Sequence, residues 1–145
     1  MNLLVSACLL GEACRYDAKS KPLPSETLRR LRERYTLIPV CPEQAGGLPT
    51  PRAPSERRGV KVVTEAGRDV TAEYEAGAAF AVKLAKEHGC EAALLKARSP
   101  SCGKNEIYDG TFTRTLTTGR GVTAEALLEH GVRVHTEEEI HLLIG

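Results

Sequence analysis

The sequence predicts an α/β, Rossmann-like domain, with a largely parallel sheet and helices on both faces, formed by residues 1–145 as one unit. Three observations carry this expectation. Short apolar runs of strand length alternate with segments of helical periodicity along most of the chain. No internal repeat, low-complexity tract or linker divides the sequence. Hydrophobic residues make up 41% of the 145 positions and charged residues 27%, an ordinary globular balance.

Residues 2–6, Asn-Leu-Leu-Val-Ser, form the first expected strand and run into Ala7-Cys8-Leu9-Leu10, with Gly11 as a turn signal. Lys19 to Pro24 is polar and proline-bearing, hence loop. Ser25 suits the N-cap of a helix from Glu26 to about Arg34 with Leu28 and Leu31 on its apolar side. Thr36 to Val40 is a second strand, ending at Cys41-Pro42. Glu43 to Gly59 contains Pro49, Pro51 and Pro54 and is expected to be an irregular loop. Val60 to Thr64 is a third strand, expected to form a hairpin through Glu65-Ala66-Gly67-Arg68.

Thr71 is the expected cap of a long helix reaching His88, with Gly77, Phe80, Ala81, Leu84 and Ala85 as its apolar stripe and Gly89 as its stop. Ala92 to Ala97 is a fourth strand leading into Arg98-Ser99-Pro100-Ser101-Cys102-Gly103. Residues 104–120 read as Gly- and Thr-rich loop with one short hairpin. Thr123 is the expected cap of a helix to His130, and Val132 to His135 is the last strand. Thr136 with Glu139 forms a capping box for a final helix that closes on Leu142, Leu143 and Ile144.

Lys and Arg number 20 against 19 Asp and Glu, for a net charge of +1. That balance offers no electrostatic footprint for nucleic acid or an acidic membrane. With no Trp, two Phe and four Tyr, a broad base-stacking platform is also excluded. No apolar run approaches the roughly 18 residues of a membrane span. The segment Met1 to Ala7 lacks a basic flank and reads as strand, so the expected compartment is the reducing cytoplasm.

Five cysteines in such a compartment call for burial or chemistry: Cys8, Cys14, Cys41, Cys90 and Cys102. Cys8 follows the first strand, Cys41 the second, and Cys102 lies just past the fourth. If these strands are parallel, the three loops open at one edge of the sheet, where such folds bind ligands. Thiolates select zinc, copper(I) or iron–sulfur clusters. The short Cys-x2-Cys spacing of structural zinc is missing, whereas a cluster can draw ligands from scattered loops. The residues alone leave open metal or cluster binding, a cysteine nucleophile, and plain burial. Cys90, at the opposite end of its strand, reads as a core residue. Cys14 reads as a fourth ligand, a resolving thiol or a bystander, the last being preferred.

Other polar residues accompany these loops. Glu43, two positions after Cys41, is a candidate acid or base; its alternative is a solvated loop residue. Ser99 and Ser101 flank Cys102 and could hold an anion, tune a cluster or merely shape a turn. Arg52, in a stiff proline loop, and Asp17, after Arg15-Tyr16, are candidate substrate contacts; a surface arginine and an ion pair with a loop arginine are their alternatives. Gly119-Arg120-Gly121 before a helix is a weak anion-binding pattern.

Several of these stretches together resemble the thiouracil desulfurase (TudS) family. They are Val5-Ser6-Ala7-Cys8-Leu9-Leu10-Gly11 with Cys14-Arg15-Tyr16-Asp17, and Pro39-Val40-Cys41-Pro42-Glu43 with Gly46-Gly47-Leu48-Pro49-Thr50-Pro51-Arg52. Leu95-Lys96 with Ser99-Pro100-Ser101-Cys102-Gly103, Ile107-Tyr108-Asp109-Gly110-Thr111-Phe112 and Gly121-Val122-Thr123-Ala124 continue the likeness. The resemblance implies a [4Fe-4S] cluster on Cys8, Cys41 and Cys102, with one iron left open. It implies removal of sulfur from a thiolated pyrimidine such as 2-thiouracil, giving uracil and hydrosulfide without net electron transfer. On this reading the open iron binds the thiocarbonyl sulfur, water attacks the carbon, Glu43 transfers the proton and Ser101 orients the reactants. The implied partner is a small thiolated nucleobase. Ala18 stands where the family pattern has glycine. The competing class is a non-catalytic thiol module that binds metal or a small ligand as a sensor or sulfur carrier.

Overall fold

A computed structural model describes residues 1–145. In chain order it contains β1 (Asn2–Ser6), α1 (Ser25–Arg34), β2 (Thr36–Val40), α2 (Pro42–Ala45), β3 (Ser55–Arg58), β4 (Lys61–Thr64), α3 (Thr71–Glu87) and β5 (Ala92–Leu95). Then follow β6 (Glu106–Tyr108), β7 (Leu116–Thr118), α4 (Val122–Glu129), β8 (Arg133–Thr136) and α5 (His141–Ile144), with 3-10 turns at Ala7–Leu10 and Glu137–Glu139. Four strands form the central sheet in the order β2-β1-β5-β8, and every pairing is parallel.

The central pair explains why the apolar runs are unbroken. Leu3, Leu4 and Val5 are fully buried, and all four residues of β5 are buried, because both sheet faces are covered. Side chains alternate across the sheet. Leu4, Ala93 and Leu95 face α3 and α4, where Ala81, Val82, Ala85, Ala124 and Leu127 complete one core. Leu3, Val5, Ala92 and Leu94 face the other way, onto Leu31 of α1 and Leu143 and Ile144 of α5. Full burial of each such side chain stabilises by about 1.5–3 kcal/mol. Pro39 lies in β2, an edge strand, where a missing N–H does least harm. Helices on both faces of a parallel sheet are the architecture the sequence predicts.

Three local expectations change. The span 43–59 is not wholly irregular: Pro42 opens the short helix α2 at a position suited to proline, and β3 lies in its second half. The expected turn at Glu65–Arg68 is present and leads to an isolated antiparallel bridge between Val63 and Asp69. The main partner of β4 is nevertheless β3, reached through Gly59 and Val60, and Val60 is an exposed turn residue. This hairpin stands apart from the central sheet. Ser-Glu-Arg-Arg has no apolar alternation, so β3 is silent to periodicity. The expected caps also shift: Pro24, Val70 and Gly121 occupy the N-cap positions. Thr71 Oγ1 instead accepts the N–H of Val62 at 2.9 Å, and Thr123 turns toward Ser101. The Thr136–Glu139 capping box is present, on the 3-10 turn that leads into α5.

Two glycines bring backbones together beneath the loop after β2. A Cβ on Gly77 would strike the Pro42 carbonyl, and one on Gly46 the Glu73 carbonyl. Helix α3 thereby seats α2 by direct backbone contact, which fixes Cys41 and Glu43 at either side of Pro42.

Candidate active site

Parallel pairing puts the ends of β1, β2 and β5 at one edge of the sheet. Cys8 sits in the 3-10 turn after β1, Cys41 caps α2 directly after β2, and Cys102 lies in the loop after β5. All three line one cavity of about 640 Å³, and Cys14 joins them. No three of the Cys, His, Asp and Glu side chains converge on a point that would hold a single metal ion. Soft thiol donors drawn from separate loops suit an iron–sulfur cluster, which can take its ligands from scattered positions. The donor chemistry and the cavity thus fit an iron–sulfur cluster.

The thiols are unpaired and differ in setting. Cys102 is buried and receives a hydrogen bond from Ser6 Oγ at 3.5 Å; burial pushes its pKa up to about 12. The Ser6 hydroxyl also accepts the Lys96 N–H at 3.0 Å, which locks it at the mouth of β1. Cys41 donates to the Cys14 carbonyl at 3.6 Å. Its thiol pKa is raised by the hydrogen bond with the Cys14 side chain and then by burial. Cys14 lies between two of the others: its bond with Cys41 lowers its pKa, but contact with Cys8 and burial outweigh this and bring it to about 11.

Beside Cys41 stands an oriented carboxylate. Tyr74, fully buried, donates its hydroxyl to Glu43 Oε1, and Arg52 Nε donates to the same oxygen at 3.4 Å. Oε2 of Glu43 has no such partner and Glu43 lines the cavity. The Tyr74 phenol is held neutral, first by burial and then by the Glu43 charge. Arg52 is 5% exposed and spends its other N–H groups on the carbonyls of Pro49 (3.1 Å) and Cys14 (2.9 Å) and on Thr50 Oγ1 (3.0 Å). Four of the five N–H donors of a guanidinium are therefore committed to the protein.

The remaining candidates divide. Ser99 lines the cavity, and its Oγ accepts the N–H groups of Ser101 (3.0 Å) and Cys102 (3.1 Å), which leaves its O–H to donate. Ser101 is fully buried behind the wall; its hydroxyl meets Thr123 Oγ1 at 2.9 Å and does not line the cavity. Asp17 also stays outside. It accepts the Lys19 N–H at 3.1 Å and lies 4.0 Å from Arg15, the loop pairing named as its alternative. The pattern at Gly119–Gly121 is not an anion site, because the α4 N-terminus donates to its own protein: Gly121 to Gly103, Val122 to Pro100, Thr123 to Ser101. Ala18 adopts φ +60°, the left-handed conformation that favours the glycine of the family pattern.

Sequence reasoning missed Ser6, Lys96, Tyr74 and Glu56, which also line the cavity. Ser6 carried a usable signal, a hydroxyl closing an otherwise apolar buried strand. Tyr74 had none, since an aromatic on a helix normally reads as core.

The family model for 2-thiouracil desulfurase matches residues 3–139. A solved structure described as the [4Fe-4S]-dependent thiouracil desulfidase TudS (DUF523Vcz) is 47% identical, covers 98% of this chain and 94% of its own, and superposes with a TM-score of 0.94. The uncharacterized protein YbbK of Bacillus subtilis (strain 168) is 42% identical over 149 aligned residues, spanning 96% of this chain and 97% of its own. Fold, converging thiols and family match together assign the chain to the 2-thiouracil desulfurase family.

Proposed function

We propose that this protein is a [4Fe-4S]-dependent desulfurase that removes sulfur from a thiolated pyrimidine such as 2-thiouracil. The carrying observation is that Cys8, Cys41 and Cys102 line one cavity with the fixed carboxylate of Glu43. The family and the solved TudS structure support the same cofactor and reaction. Five unpaired thiols support a reducing, cytoplasmic setting. No helix is long and apolar enough to cross a membrane.

Cys8, Cys41 and Cys102 would hold the cluster as thiolates. When bound, the cluster supplies a soft Lewis acid with an open position for the thiocarbonyl sulfur. Ser6 donates to Cys102 Sγ and so tempers its charge. Ser99 offers its O–H to the exocyclic carbonyl oxygen or a ring nitrogen of the substrate. This takes over the orienting part assigned to Ser101, whose hydroxyl is turned away toward α4. Glu43 Oε2 takes the proton of the attacking water, while Tyr74 and Arg52 hold Oε1 in place. Arg52 acts as a strut of the site, since its donors are already committed. Sulfur is exchanged for oxygen, water supplies the oxygen, and no electrons are gained or lost overall.

The competing thiol module would need the cysteines alone and has no use for an oriented carboxylate. Anaerobically reconstituted protein is expected to be brown and to release sulfide and uracil from 2-thiouracil. Equal turnover by protein shown to be free of iron would refute the cluster reading, and a brown protein without turnover would favour the module.

A further inference from the structure

We propose that Phe112 is the ring-stacking residue that sets affinity for the substrate, and that Glu56 is the positioning residue that holds it at the cavity. The proposal rests on the reading of the cavity as a site for a thiolated pyrimidine. Phe112 lines the cavity on the loop between β6 and β7, in the left-handed conformation with φ +58°. That conformation is sterically costly for a bulky side chain and persists only where the surroundings enforce it.

The enforcing residues come from β3. Glu56 is a buried carboxylate, which is tolerated only when hydrogen-bonded. Its Oε1 accepts the N–H of Gly110 at 2.9 Å and that of Phe112 at 3.2 Å. Arg58, on the same side of the strand, donates Nε to the Gly110 carbonyl at 2.7 Å. Its guanidinium lies 5.9 Å from the Phe112 ring centre. Both backbone groups of Gly110 are thus gripped, and one face of the ring is covered by a cation. The loop tip is further stiffened by the Thr111 hydroxyl, which donates to Asp109 Oδ1 (2.6 Å), and by the hydroxyl pairs Thr111–Thr113 (2.6 Å) and Thr113–Thr115 (2.8 Å). A strained aromatic, a buried acid spent on its backbone and a stiffened tip are a costly way to end a surface hairpin unless the ring has a task.

The other cavity aromatics are less suited. Tyr74 is fully buried among Leu48, Val62 and Val70, with its hydroxyl on Glu43. Tyr16 is exposed and Tyr108 lies half-buried within β6, and each carries a hydroxyl that needs a partner of its own. A planar heterocycle held by its sulfur needs a flat apolar surface beside it, and Phe112 supplies one without a polar group to satisfy.

The test uses cluster-loaded protein, with uracil binding measured by calorimetry and KM and kcat measured on 2-thiouracil. Phe112→Leu should weaken uracil binding about tenfold and raise KM equally, with kcat within about twofold. Phe112→Tyr should restore affinity. Glu56→Gln should weaken binding several-fold, and the Glu56→Gln/Phe112→Leu pair should bind no worse than Phe112→Leu alone. Visible spectrum and iron content should match wild type throughout. Unchanged affinity in Phe112→Leu, equal loss in Phe112→Tyr, or additive losses in the pair would overturn the proposal while leaving the desulfurase reading intact. Cluster-loaded wild type that neither binds uracil nor turns over 2-thiouracil would overturn both.

Discussion

The floor of the cavity stands on the central sheet, whereas its outer wall hangs from two small antiparallel hairpins, β3–β4 and β6–β7. Cys8 and Cys102 follow strands whose side chains are buried on both faces, and Cys41 follows the edge strand β2, whose last residue, Val40, is buried. Moving Cys8 or Cys102 means disturbing Leu3–Val5 or Ala92–Leu95, where each large apolar side chain lost costs about 2–5 kcal/mol. Moving Cys41 means breaking the backbone contact of α2 with α3. The wall loop is held by hydrogen bonds from the Phe112 N–H to Glu56 and from Arg58 to the Gly110 carbonyl, worth about 1–3 kcal/mol each where a charge takes part. The floor is therefore fixed by the fold itself, and the wall by a few replaceable contacts. On the proposed reading, reaction chemistry belongs on the first and substrate preference on the second.

Substitutions in the floor should have the largest effects. Cys8→Ala, Cys41→Ala and Cys102→Ala are each expected to remove the brown colour and lower turnover by about a thousandfold or more, because the Lewis acid is lost. Cys14→Ser should keep its colour, since Cys14 follows a turn and not a strand. Iron and sulfide analysis of the four variants checks this. A colourless Cys14→Ser protein would mean that the floor extends beyond the three strand ends.

The same division explains what the sequence revealed. The strands that carry the floor are largely apolar, and cysteines follow them directly or one loop later, so parallel topology brings Cys8, Cys41 and Cys102 to one edge; Cys14, which also lines the cavity, carries no such mark. Strand β3 is polar throughout, and Glu56 and Arg58 look like ordinary surface charge until the partner loop is seen. Ser101 and Ser99 are indistinguishable by position beside Cys102. Only the packing of α4, which draws Ser101 toward Thr123, decides which hydroxyl is left at the cavity. Tyr74 reaches Glu43 only because Gly46 and Gly77 let α2 and α3 touch backbone to backbone, a fact of steric fit that no pattern encodes.

Glu43 lies where floor meets wall, and its variants should have intermediate effects. Glu43→Gln keeps the shape of the side chain and the Tyr74 contact while removing the base. A fall in kcat of about 10²–10⁴-fold with colour retained is expected from anaerobic kinetics. Tyr74→Phe removes one of the two donors on Glu43 Oε1 and leaves the carboxylate in place, and should cost less, about tenfold. A larger loss in Tyr74→Phe than in Glu43→Gln would reassign the proton transfer to the phenol.

The smallest effect expected is on the stability of the cluster-free protein, and it isolates the floor from the wall. Cys102 is raised from 9.0 to about 12, chiefly by burial. Cys14 is raised from 9.0 to about 11, where contact with Cys8 and burial overcome the opposing bond with Cys41. Below pH 9 these thiols are neutral in folded and unfolded chains alike, and their contribution to stability is fully present. Above it the unfolded chain ionises first, so this contribution is lost as pH rises from about 9 toward 11–12. Urea midpoints of cluster-free protein should therefore fall over that window. Because lysines and tyrosines titrate there too, the diagnostic quantity is the difference from Cys102→Ala, whose decline should be shallower. Phe112→Leu, on the wall, should follow the wild-type slope. Parallel declines in wild type and Cys102→Ala would show that the floor thiol is not shielded from water, and with it the claim that the sheet rather than the loops fixes the floor would fail.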